Sequence, residues 1–345
     1  MNNFVIGNRE IGSNNLPLVI AEIGINHEGD LLKAKEMVYD AAFAGAECVK
    51  FQCHVVEDEM SKHAKKVVPS NADQSIYNIM ERCSLSLEEN IQLKELTESL
   101  GMIYLSTPFS RAAANRLFEM GVEAFKIGSG ECNNYPLVEH IAKFGKPVIL
   151  STGMNDIESI LPSVKILRKH NVPYALLHCT SLYPTPYNKV RLGALSDLKR
   201  AFPDAILGLS DHSMGNYTCF ASVALGASIL EKHFTSDKGW AGPDVPISID
   251  GEELKDLICG SRAIYDALGG DKNILKEEQP TIDFAYASVV AIKNIKKGDV
   301  LSRENIWVKR PGTGEILAKH FDSVLGKIVQ TDISVGCQLG WGDIV

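Results

Sequence analysis

No CxxC pair occurs anywhere in the 345 residues, although the chain has eight cysteines. Cys48, Cys53, Cys83, Cys132, Cys179, Cys219, Cys259 and Cys337 are scattered, and several fall inside apolar segments. That distribution suits reduced core thiols of a cytoplasmic protein and argues against structural zinc. No apolar run reaches the ~18 residues that a membrane span requires. The opening MNNFVIGNREIGSNN lacks a basic stretch followed by an apolar one, so it does not read as a signal peptide. Strong charge of either sign is missing too. The formal net charge is -8 and the pI is near 5.6, which argues against nucleic acid as the main partner. Global disorder is excluded by 45% hydrophobic and 23% charged residues. The length suits one large domain plus a small one.

What is present is a rhythm. Short apolar runs recur as LVIAEIG (18–24), CVKFQC (48–53), MIYLSTPF (102–109), AFKIGSG (124–130), PVILSTG (147–153), YALLHCT (174–180), AILGLSDHS (205–213) and SILEKHFT (228–235). Each is bounded by Gly, Pro or polar residues, as strands are. Amphipathic stretches lie between them. In one, Leu31, Leu32, Ala34, Met37, Val38, Ala41 and Ala42 follow a helical spacing. Strand–helix alternation implies parallel strands with helical crossovers. The pattern predicts an α/β fold, a (β/α)8 TIM barrel over 1–270, with a doubly wound sheet as the alternative. A polar linker is expected over 271–283. A small β-rich domain, punctuated by Lys-Gly-Asp, Pro-Gly and Val-Gly turns, is expected over 284–345. The insert 54–85 reads as a long structureless loop, a common place for function.

Every predicted strand ends in polar residues. The first carries Glu22, with Asn26 and His27 beyond; the second carries Lys50 and Gln52 on one face. Then come Ser106 and Thr107; Lys126, Ser129 and Glu131; Ser151 and Thr152; His178, Ser181 and Tyr183; Ser210, Asp211 and His212; and finally Glu231, Lys232 and His233. One polar strand end is a loop start, but eight together imply a shared pocket. His212 and His233 stand at matching depth on neighbouring strands. They read either as a two-histidine site for Mn²⁺ or Mg²⁺ or as two separately bonded imidazoles. Lys50 and Lys126, among Thr107, Ser129, Ser151 and Ser210, read as an anion cradle. A Schiff-base lysine or lysines reaching the rim are the competing readings. Glu22 and Glu131 would move protons, bind hydroxyls or pair with those lysines. His54 and His178 read as structural. Arg310, before a Pro-Gly turn, is either a directed guanidinium or a surface arginine.

The motifs AEIGINHEG, VKFQ, STPF, KIGSGE, STGM, HCTSLYPTP, GLSDHS, LEKHFT and KRPGTG, in that order, resemble those of the sialic acid synthase family, especially its bacterial N-acetylneuraminate synthases. The resemblance runs from residue 3 to 345 and includes a C-terminal antifreeze-like (SAF) domain. It implies condensation of phosphoenolpyruvate with N-acetylmannosamine and water, giving N-acetylneuraminate and phosphate. It implies a divalent metal on His212 and His233, Mn²⁺ first and Mg²⁺ or Co²⁺ as alternatives, polarising the open-chain aldehyde. Carbon 3 of phosphoenolpyruvate would attack that aldehyde, water would add to carbon 2, and phosphate would leave by C–O cleavage. It assigns phosphoenolpyruvate to Lys50, Thr107, Lys126, Ser129, Ser151, Ser181 and Ser210. It assigns the sugar to Glu22, Gln52, Asn71, Tyr183, Asp244, Phe284 and Arg310. Glu22, Glu131, His212 and His233 would be catalytic. It also implies a domain-swapped homodimer, whose small domain caps the partner's barrel with Arg310, with neither nucleic acid nor membrane as a partner. Two departures stand out: Ser181 replaces a family asparagine, and RPGTGEI differs from the common RPGxGI. A related synthase, for legionaminic or pseudaminic acid, is the alternative enzyme. A carbohydrate-binding or ice-binding module is the alternative without catalysis.

Overall fold

The computed structural model describes residues 3–69 and 73–345. The chain divides into two compact units, Met1–Gly269 and Gly270–Val345.

In the first unit, β1 (Asn3–Ile6) and β2 (Arg9–Gly12) form an antiparallel hairpin. Eight parallel strands follow: β3 (Leu18–Gly24), β4 (Cys48–Cys53), β5 (Ile103–Pro108), β6 (Phe125–Ile127), β7 (Val148–Ser151), β8 (Tyr174–Cys179), β9 (Ile206–Asp211) and β10 (Ile229–His233). Their order is β5-β4-β3-β10-β9-β8-β7-β6. The two ends of that order, β5 and β6, lie side by side, so the sheet curls into a barrel rather than an open doubly wound sheet. Helices connect successive strands, as parallel pairing requires.

Both faces of this sheet are buried, which is why its strands read as near-continuous apolar runs. The outward residues pack under the helices: Leu230 of β10 and Leu207 and Leu209 of β9 meet Val223 and Leu254. In the helix Leu31–Phe43, Ala34, Met37, Val38 and Ala41 are buried as predicted, but Leu32 is exposed. The inward residues begin apolar. Leu18, Ile20, Leu105, Ala124, Ile149, Ala175, Leu177, Ile206 and Ile229 cluster with Phe4, Ile6 and Ile11 of the hairpin, which plugs that end. The hairpin is absent from the sequence reading because its strands are only four residues long.

The insert 54–85 is not structureless. It holds the short helix Val56–Glu59, the turn Lys62–Lys66 and the helix Ile76–Cys83, which Ser75 caps at its N-terminus. Ile79 and Cys83 on that helix pack against Ile25, so local amphipathicity supplies the order.

The second unit holds the turn Lys276–Glu278 and the helix Gln279–Ala285, which overlap the stretch 271–283 read as linker. β11 (Ser288–Ala291) and β12 (Ile306–Lys309) pair antiparallel. Isolated bridges such as Ile295 with Ile333 and Val329 with Ile344 complete a small β-rich fold. Val289, Ile306, Ile316, Val324 and Leu339 form its core. Among the described residues no helix is long and apolar enough to cross a membrane.

Candidate active site

Alternation along each barrel strand decides what faces inward. Above the apolar layer every strand offers one more inward side chain: Glu22, Lys50, Thr107, Lys126, Ser151, Cys179, Ser210 and Glu231. All eight line one cavity of about 400 Å³ at the C-terminal ends of the strands. This is the end where barrel enzymes carry their chemistry. Gln52, Ser129, Glu131, Ser181, Tyr183, His212, His233 and Asp244 line its walls, with Phe109 and Met154.

The floor is a buried charge network. Lys50 Nζ lies 2.7 Å from Glu22, 3.9 Å from Glu231 and 3.1 Å from Thr107 Oγ1. Lys126 Nζ lies 3.2 Å from Glu231 Oε1 and donates to Ser151 Oγ at 2.8 Å. Ser210 Oγ donates to Glu231 at 2.9 Å. Both lysines are buried, so neither reaches out to the rim. Burial alone would push Glu231 up, but Lys126 and Lys50 outweigh it and hold the carboxyl at about 2. Burial wins at Glu22, which rises to about 7 despite Lys50. Burial would lower Lys50, but Glu22 and Glu231 raise it; burial, with the repelling Lys50, lowers Lys126 despite Glu231.

The walls follow from tight backbone turns. Gly24 has φ +57°, and a β-carbon there would lie 3.2 Å from both Gln52 Nε2 and Glu22 Oε1. A β-carbon on Gly153 would lie 2.5 Å from Ser181 Oγ and 2.8 Å from Ser129 Oγ. The Gly153 N–H instead donates to Ser129 Oγ at 2.9 Å. Ser181, the departure noted above, therefore sits beside Ser129 in the serine-rich wall. Burial raises Glu131 to about 7 and Asp244 to about 6. Glu131 Oε2 is buried without a hydrogen-bond partner.

His212 and His233 face each other with ring centroids 5.4 Å apart. His212 Nδ1 lies 3.0 Å from the Thr180 carbonyl. It donates there, which leaves the Nε2 lone pair free to bind a metal. Tyr183 stacks on His212 at 4.2 Å. Burial holds His233 well below the usual imidazole range, hence neutral, and its Nδ1 is buried without a hydrogen-bond partner. Asp244 Oδ2 is 3.8 Å from that nitrogen. Two imidazoles with open nitrogens fit a divalent cation that keeps positions for water or substrate. Among the described residues no group of three or more His, Cys, Asp or Glu side chains is arranged to hold a metal.

Of the residues singled out from sequence, Asn71 lies outside the described residues. Phe284 and Arg310 belong to the second unit, where both are exposed. His178 points outward, with Nε2 2.6 Å from the Val190 carbonyl, and His54 bridges Glu59 and Gln52. Neither lines the cavity. Cys179 and Glu231 do; the sequence places Glu231 among the polar strand ends without a role there, and Cys179 carries no signal of its own.

Comparison with known proteins gives the same region a lineage. The NeuB family profile matches residues 37–273, and the SAF domain profile matches residues 286–345. The N,N'-diacetyllegionaminic acid synthase of Campylobacter jejuni is 41% identical over 90% of this chain and 95% of its own length. The human N-acetylneuraminate-9-phosphate synthase is 34% identical over 87% of this chain and 85% of its own. Among solved structures, the N-acetylneuraminic acid synthetase of Leptospira borgpetersenii serovar Hardjo-bovis, in complex with citrate, superposes with a TM-score of 0.74. That match has 35% identity and covers 81% of this chain and 95% of the other.

Proposed function

This chain belongs to the NeuB family and carries a SAF domain, and from that premise we propose that it condenses phosphoenolpyruvate with an N-acetylated amino-sugar aldehyde. The products are a nonulosonic acid and phosphate. N-acetylmannosamine is the acceptor and N-acetylneuraminate the product in this reading. The observation that carries it is the single cavity in which two buried lysines and a wall of serines face two open histidines.

Lys50, Lys126, Thr107, Ser129, Ser151, Ser181 and Ser210 hold the carboxylate and phosphate of phosphoenolpyruvate. Gln52, Tyr183, Asp244 and Glu22 line the sugar's side. Carbon 3 of phosphoenolpyruvate attacks the aldehyde carbon, and the aldehyde oxygen takes a proton to become a hydroxyl. Water adds to carbon 2 and loses a proton. Collapse of that centre breaks the C–O bond, leaving a ketone and phosphate. Glu131 and Glu22, both at about 7, are suited to give and take these protons near neutral pH. His212 and His233 would hold a divalent metal, Mn²⁺ first, which supplies Lewis-acid polarisation of the aldehyde. The SAF domain of one protomer caps its partner's barrel in a homodimer and brings Arg310 to the acetamido group. Closure of that kind strengthens polar contacts inside.

The 41% identity to a diacetyllegionaminic acid synthase favours a second reading, in which the acceptor is the precursor of a related acid. A phosphate-release assay with phosphoenolpyruvate and each acceptor, with and without EDTA, tests both. Release with N-acetylmannosamine alone supports the first reading and release only with a diacetamido sugar the second. Release with no acceptor rejects both.

A further inference from the structure

Behind the cavity, on the outward face of β9 and β10, lies a polar cluster that the reaction above does not use. Asp211 stands between Ser210 and His212, and Lys232 between Glu231 and His233, so both side chains point away from the pocket. Both are buried, Lys232 completely. Their charged atoms lie 2.6 Å apart. Asp211 also accepts from Thr218 Oγ1 at 2.8 Å, from Ser213 Oγ at 2.9 Å and from the Ser213 N–H at 3.1 Å. Lys232 donates to the Ser213 carbonyl as well. The bonds therefore converge on the residues that flank His212.

The position in the ladder matters. Asp211 and Lys232 are the last paired residues between β9 and β10. His212 and His233 come next, beyond the ladder, where no backbone pairing between these strands fixes their separation. A buried ion pair is weak support for stability in itself, because apolar residues of similar volume often do as well. Leu209, Leu230, Cys219 and Val223 belong to the same apolar layer, so apolar replacements have neighbours to pack against. We infer that the Asp211–Lys232 pair is a positioning device that fixes the spacing of His212 and His233 and so sets the affinity for the divalent metal. The inference rests on the two-histidine metal reading given above.

The test is Mn²⁺ binding to the full-length protein, followed by the loss of the free-ion electron paramagnetic resonance signal. The variant is Asp211→Leu with Lys232→Met, which removes both charges together and leaves neither buried alone. Thermal unfolding without metal reports whether it folds like wild type. The expected result is a folded protein that melts somewhat lower, because Ser213 and Thr218 lose their acceptor, with Mn²⁺ affinity lowered by about tenfold or more, the range seen when residues supporting metal ligands are lost. Wild-type affinity in this folded variant overturns the inference. Asp211→Asn, which keeps an acceptor for Ser213 and Thr218 but weakens the pair, provides a second variant. It should lose affinity to an intermediate degree at a temperature where it is folded, and unchanged affinity there overturns the inference too. A wild-type protein that binds no Mn²⁺ would instead remove the metal reading, and this inference with it.

Discussion

Substituting Lys126 by methionine separates the two jobs this lysine is given. Its ammonium touches Ser151 Oγ at 2.8 Å and Glu231 Oε1 at 3.2 Å. Without it Glu231 keeps only the more distant Lys50, at 3.9 Å, and the Ser210 hydroxyl. Glu231 is held at about 2 against an ordinary 4.5, which favours its ionised form by roughly 3 kcal/mol. A depressed carboxyl stabilises the fold above pH 4.5 and loses that contribution as pH falls through 2. Lys126→Met should therefore cost up to about 3 kcal/mol at neutral pH, in line with breaking a buried pair. Its stability should fall less steeply on acidification than that of wild type, measured by urea unfolding between pH 7 and 3. Adding Glu231→Gln removes the stranded charge and should restore most of the loss. The second job is substrate. Losing one charge-assisted contact should raise the KM for phosphoenolpyruvate by one to two orders of magnitude, about 1.5–3 kcal/mol, in both variants. An unchanged KM in a folded Lys126→Met protein would refute the cradle assignment and leave the lysine as Glu231's partner only.

Three further outcomes are expected. His212→Ala or His233→Ala should abolish activity and Mn²⁺ binding while the barrel stays folded by circular dichroism; wild-type metal content with turnover in both would remove the two-histidine site. Glu131→Gln should flatten the limb of the kcat/KM profile near pH 7 that its raised carboxyl contributes, whereas Glu22→Gln should remove a separate ionisation in the same range; profiles identical to wild type would take both out of proton transfer. Mixing inactive His233→Ala and Arg310→Ala proteins under subunit exchange should restore activity towards a quarter of wild type, since roughly half the dimers are mixed and each has one complete site; no recovery despite verified exchange would mean that Arg310 does not act across the dimer.

The barrel was legible because parallel strands and crossover helices leave two periods in the chain, and the polar strand ends marked the catalytic end. The plugging hairpin left no such trace, because its strands are only four residues long. The phase of β8 was also lost. Both its faces are buried, so an apolar run gives no alternation to count from. The run therefore does not show that Cys179 is the residue facing the cavity, while His178, which reads as structural, faces outward to the Val190 carbonyl. What two lysines do to Glu231 depends on strands far apart in sequence. The insert looked structureless because its helices are short and their apolar partners, such as Ile25, lie outside it.

The fate of the bridging oxygen of phosphoenolpyruvate tests the proposed reaction most directly. Phosphoenolpyruvate labelled with ¹⁸O between carbon 2 and phosphorus would be turned over with Mn²⁺ and the accepted amino sugar, and phosphate and sugar acid analysed by mass spectrometry. C–O cleavage predicts one ¹⁸O in every phosphate and none at the new ketone, with phosphate and sugar acid formed one to one. Label retained in the sugar acid, or phosphate formed without sugar acid, would contradict it.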